Sequence, residues 1–280
     1  MVRAQSLWAW GSSSIAYAPQ LAEPAPLSES NPLGVDPRFK ATNDSHRVLC
    51  TLSLELLDLS PQLLGYFELH RSKLGVNVTR SLGSAVVAYA EWAAGPEQNL
   101  IARASAFGKR TRTLGASTPT LPPTDPGTSL RNDVAAGFSW TAGAAVTFNL
   151  EYHFHQAGFT RKDWQNWFAL GSAPGAPATL TGALWYPRGY ASDQQEPLSM
   201  HQLFVRGSWP RALGPDLELS AFAFISLLDG SVLSQLSANY YVSSAWTASA
   251  YSSAFIGNAR SERGSLPQRG NLTLELTRYF

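Results

Sequence analysis

The chain has 280 residues, of which 44% are hydrophobic and only 15% charged, with 21 basic against 20 acidic side chains and a formal charge of +1. That charge content falls well short of the roughly 25% usual in soluble globular domains, no basic stripe offers an electrostatic footprint for nucleic acid, and no apolar run approaches the ~18 residues a membrane helix needs. The single cysteine, Cys50, excludes an intrachain disulfide and any multi-cysteine metal site.

Residues 1–20 carry Arg3 but no continuous apolar segment, because Gly11 and three serines interrupt them, so they do not read as a secretory signal. Five prolines from Pro19 to Pro37 give no sustained period. The sequence therefore predicts an irregular arm or the remnant of an upstream strand over 1–45, with LWAWGSSSIAY as one further strand or that remnant.

From His46 the period becomes two. Val48, Cys50, Leu52 and Leu54 share one face of a strand whose other face carries Arg47, Thr51, Ser53 and Glu55. Turn signals at SPQ and SLGS separate LLGYFEL, LGVNVTR and AVVAYAEW. Residues 95–131 read as a long loop rich in Pro, Thr and basic residues, with NLIARASAFGKR suiting a short helix as well as a strand. DVAAGFSWT and AVTFNLEYHFH then form a hairpin. The second of these alternates Val146, Phe148, Leu150, Tyr152 and Phe154 with Thr147, Asn149, Glu151, His153 and His155.

A second excursion, 156–197, contains a short helix capped at Thr160, with Trp164, Trp167 and Phe168 at helical spacing. The rest of it, APGAPATLTGALWYPRGYASDQQEP, reads as irregular. Five strands close the chain: MHQLFVRGSW, DLELSAFAFI, VLSQLSANYYV, WTASAYSSAF and GNLTLELTRYF.

Period two suits either a soluble sandwich, whose apolar faces share a core, or a membrane barrel, whose apolar face meets lipid. Recurrent strands of about ten residues, uncharged polar residues opposite the apolar ones, aromatics near strand ends, and short links alternating with long excursions all point to the barrel. The expected fold is an all-β antiparallel transmembrane barrel over 46–280, with 10–12 strands visible. Long extracellular loops are expected at about 95–131 and 156–197.

The ending GNLTLELTRYF resembles the closing strand of Gram-negative outer-membrane barrels. Leu272, Leu274, Leu276 and Phe280 match the pattern such strands present to the barrel-assembly machinery, while Arg278 stands where that family generally places an apolar or aromatic residue. The longer pattern, with SPQLL, NVTRSLG, AYAEW and NLEYHFHQAGF, is distantly similar to alginate-export-type porins. The resemblance implies residence in the cell outer membrane, in contact with outer-membrane lipid and lipopolysaccharide. An even strand number and the lack of a readable signal suit a C-terminal portion of a longer barrel, or a complete form of about twelve strands.

The expected function is passive passage of small polar solutes, by a channel or structural barrel that is not an enzyme. Pore-lining candidates are Thr147, Asn149, Glu151, His153, His155, Arg206, Glu218, Ser220, Gln235, Asn239 and Glu275. Trp164, Trp167 and Phe168 are candidates for a loop plug, and Lys109, Arg110, Arg112 and Arg131 for attracting anionic lipopolysaccharide or an acidic solute. His153 and His155 share a face with Glu151, but no third spaced ligand supports a metal, so neither metal nor cofactor is expected. The alternatives are a soluble β-sandwich that binds carbohydrate through tryptophans and, furthest from the pattern, a barrel hydrolase, for which no nucleophile motif is present.

Overall fold

The computed structural model describes residues 1–21, 45–56, 59–68, 71–143, 145–175 and 177–280. Among these residues thirteen strands lie in chain order in one antiparallel sheet. They are β1 (Val2–Trp8), β2 (Gly11–Ala18), β3 (Arg47–Leu54), β4 (Leu59–Glu68), β5 (Arg71–Leu82), β6 (Val86–Glu97), β7 (Ser129–Thr141), β8 (Thr147–His155), β9 (His201–Trp209), β10 (Leu217–Ser226), β11 (Val232–Ser243), β12 (Trp246–Ile256) and β13 (Gly270–Arg278). Among the described residues three helices, α1 (Leu100–Arg110), α2 (Arg161–Gly171) and α3 (Ala178–Asp193), occupy the two long excursions.

The thirteen strands exceed the 10–12 expected, because the first eighteen residues fold as a hairpin, β1 paired with β2, and β2 pairs onward with β3. The serine-rich Gly11–Ala18 segment lacks the apolar stripe that marks the other strands, so its pairing is set by neighbours and not by amphipathic pattern. Most of the proline-rich part of the expected arm, residues 22–44, lies outside the described residues.

Connections after β5, β7, β9 and β11 are short, at 83–85, 142–146, 210–216 and 244–245. Those after β6, β8 and β12 are long, at 98–128, 156–200 and 257–269. In the first short turn Gly83 has φ +72°, a left-handed conformation that a side chain would strain. Gly95 in β6 lies against the Ser72 carbonyl oxygen, so closely that a Cβ at this position would collide with it.

Within the long loop expected over 95–131, residues 100–110 take the helical of the two readings open to NLIARASAFGKR and form α1. Its N-cap is Asn99, whose side-chain oxygen accepts a hydrogen bond from the Ala102 N–H at 2.8 Å, and Lys109 and Arg110 meet the negative end of its dipole. Helix α2 begins where the sequence placed it, with a reciprocal cap. The Thr160 hydroxyl accepts from the Asp163 N–H at 3.2 Å, and the Asp163 carboxylate accepts from the Thr160 N–H at 2.9 Å. Helix α3 replaces the irregular segment expected there. Pro177 precedes it, and Pro187 inside it removes one backbone hydrogen bond, but burial of Leu184, Tyr186 and Tyr190 outweighs that loss.

The chain divides into two compact units. One comprises Met1–Val78, Glu91–Asp133 and His155–Met200 and contains all three helices. The other comprises Thr79–Ala90, Val134–Phe154 and His201–Phe280 and contains β9 to β13.

Candidate functional site

In the second unit the strand register fixes two faces, because residues directly opposite across antiparallel strands point to the same side. One row runs Thr147, Ser208, Ser220, Ser237, Tyr251 and Thr273. The next runs Asn149, Arg206, Phe222, Gln235, Ser253 and Asn271. A third aligns Glu218, Asn239, Ser249 and Glu275, and Glu151 and His153 continue the same side of β8. The register thus brings all the sequence-selected polar residues of this unit onto one face. Along it the Ser220 and Ser237 hydroxyls bond each other at 2.6 Å, Ser249 donates to the Asn239 side-chain oxygen at 2.8 Å, and Tyr241 donates to Glu218 at 3.1 Å. Glu151 is paired with His153.

The opposite face carries Leu203, Val205 and Trp209 of β9, Leu219, Ala221 and Ile225 of β10, Leu236 and Tyr240 of β11, Ala248 and Ala250 of β12, and Leu272, Leu274 and Leu276 of β13. None of these is buried. Leu236, Leu272, Leu274 and Leu276 are 61%, 67%, 73% and 63% exposed, whereas Gln202, Ser226 and Thr247 on the polar face are buried. On β13 both faces are exposed, but on β9 to β12 burial runs opposite to that of a water-soluble sheet: the polar face holds the buried Gln202, Ser226 and Thr247 and the apolar face holds no buried residue.

Reading the residue types alone missed an aromatic cluster on the polar face. Phe204, Phe222 and Phe224 pack together with ring centroids 4.9–6.2 Å apart, beside Arg206. Their alternation with apolar residues in LFVRG and SAFAFI was the available signal, but only the register shows that they lie on the polar side.

His155, the last of the pore-lining candidates on β8, belongs to the first unit and joins a charged cluster the sequence did not single out. Lys73 of β5 lies 2.9 Å from Glu97 of β6 and 2.6 Å from Asp133 of β7. His155 Nδ1 donates to Asp133 at 2.6 Å and its Nε2 faces Glu196 at 4.0 Å. Arg103 of α1 pairs with both Glu97 and Glu196. The Glu97 side chain is only 2% exposed, so its charge depends on these two cations. The backbone reinforces the junction, since the Leu100 N–H donates to the Ala157 carbonyl at 2.8 Å. The arrangement pins α1 to the strand ends of its own unit.

The plug candidates Trp164 and Trp167 are buried and Phe168 is half-buried. The Trp164 indole N–H donates to the Ser199 hydroxyl at 3.0 Å, and that of Trp167 to the Leu184 carbonyl at 2.8 Å. Phe168 packs 5.7 Å from Trp164 and 5.0 Å from Trp167. The guanidinium of Arg188 sits 5.4, 5.3 and 4.7 Å from the rings of Trp164, Trp167 and Trp185, so one cation holds α2 against α3. Burial pushes the nearby Tyr186 hydroxyl above the usual tyrosine pKa. Replacing Arg188 with Ala is expected to cost about 2 kcal/mol and to alter tryptophan emission, read in a denaturant titration; Arg188→Lys should recover part of it.

Among the described residues no three His, Cys, Asp or Glu side chains converge as a metal-ligand set. No helix among them is long and apolar enough to cross a membrane, which leaves crossing by strands as a separate matter. The terminal leucines 272, 274 and 276 lie in register on the apolar face of β13, and Phe280 is exposed beyond its end. No family model and no curated protein matches the chain.

Proposed function

We propose that this chain is a porin-like protein of the cell outer membrane whose strands cross the bilayer and whose polar face passes small polar solutes, with no catalytic role. The observation that carries this reading is the burial of β9 to β12 in the second unit: no buried residue on the apolar face, where Leu236 is 61% exposed, and buried Gln202, Ser226 and Thr247 on the polar one. Lipid contact satisfies such a face at no hydrophobic cost, and it needs every backbone group paired between strands, which the antiparallel sheet provides for its inner strands and closure of β1 on β13 would complete. The long connections, with Lys109, Arg110 and Arg112 at and just beyond the end of α1, suit the lipopolysaccharide side. Leu272, Leu274, Leu276 and Phe280 then serve as the signal read by the barrel-assembly machinery.

The test is planar-bilayer recording of the purified full chain, refolded from denaturant into detergent. Stepwise potassium chloride conductance is the expected result. A chain that is monomeric and soluble without detergent, and silent in bilayers, overturns the reading and returns the fold to the water-soluble class.

A further inference from the structure

We propose that the polar face around Arg206 is a binding site for an amphipathic organic anion, a carboxylate carried on an aromatic or flat apolar body. The proposal rests on the channel reading above and names the class of solute it favours.

Arg206 is exposed on this face, and among the described residues no carboxylate pairs with it. Its direct neighbours across the strands are Asn149 on β8 and Phe222 on β10, and Gln235 on β11 stands opposite Phe222. Asn149 and Gln235 likewise make no side-chain hydrogen bond among the described residues. A guanidinium with the Asn149 amide beside it and a second amide, Gln235, one strand beyond Phe222 is a set of donors suited to a carboxylate, which Arg binds in bidentate fashion.

The second half of the site is the phenylalanine cluster. Phe204 is two residues from Arg206 on the same strand and face, and Phe222 and Phe224 complete a patch of three rings. Leu233 and Phe255 extend the row that begins at Phe224, through direct register neighbours. All three rings of the cluster are half-buried, so part of each aromatic face stays accessible. A wet polar lumen gains nothing from such a patch. A solute with a ring gains both stacking area and desolvation there, while the adjacent Arg206 holds its charge. Simple sugars and small inorganic anions would use only one half of the site.

The test uses the unaltered full chain folded in detergent micelles, titrated by calorimetry with phenylacetate, acetate and phenethyl alcohol. Phenylacetate is expected to bind about tenfold or more tightly than either probe lacking one half of its structure. Arg206→Gln should bring it down to the level of the alcohol, and Phe224→Ala toward that of acetate. Retained heat-sensitive gel migration shows that each variant is folded; if a variant misfolds, the three-probe comparison on the unaltered chain decides alone. Equal affinity for all three probes overturns the proposal. Bilayer conductance with no probe preference leaves the channel reading standing without this site, and preference without conductance leaves the site standing without the channel.

Discussion

Arg103→Ala is expected to release α1 from the first unit. The substitution leaves Glu97, almost wholly buried, with Lys73 as its remaining cation of the pair that holds it, and takes the Arg103 guanidinium away from Glu196 as well. Removing one partner of a buried ion pair costs about 3–5 kcal/mol because the other charge stays desolvated. Hydrogen exchange at residues 100–110 should therefore accelerate by about two orders of magnitude or more. The double substitution Arg103→Met with Glu97→Gln removes the stranded charge and should recover much of the loss. Unchanged exchange in the single variant would mean that apolar packing by Leu100, Ile101 and Ala104 holds the helix without the charges.

The second large effect concerns the apolar face. Leu274→Arg in β13 places a charge among leucines and is expected to cost about 2–4 kcal/mol of folding free energy in a bilayer. Thr273→Arg, one residue away and on the other face, should cost far less, because alternate residues point to opposite sides. Urea titration of each variant folded into phosphatidylcholine vesicles measures the difference. Similar costs at both positions would contradict a lipid-facing assignment for that face.

The strands from β8 onward were legible because alternation survives in TFNLEYHFH, LELS and NLTLELTR, and the register then lines up the polar set. The N-cap of α2 was legible for a similar local reason, since Thr160 and Asp163 form their reciprocal hydrogen bonds within one turn. The hairpin of β1 and β2 was not, because Ser12, Ser13 and Ser14 present no apolar stripe and depend on pairing with β3. Helix α3 was hidden by Pro177 and Pro187, and burial of Leu184, Tyr186 and Tyr190, with the aromatic packing around Arg188, explains why the segment is helical. The charged cluster was invisible to any local pattern. Its members at 73, 97, 103, 133, 155 and 196 are single ordinary charges in sequence, and become a network only when β5 to β8 and α1 are assembled. The aromatic patch beside Arg206 escaped for the opposite reason, since phenylalanine in a strand is expected on the apolar side.

On the channel reading one face of this sheet meets lipid and the other meets water. Nitroxide scanning along β11, in a chain with Cys50 replaced by Ser and reconstituted into vesicles, tests that division most directly. Labels at Leu236, Ala238 and Tyr240 are expected to be accessible to oxygen and shielded from a water-soluble nickel relaxer, with the reverse at Gln235, Ser237 and Asn239. Equal access of the nickel relaxer to both sets would contradict a sheet with one lipid face and one wet face.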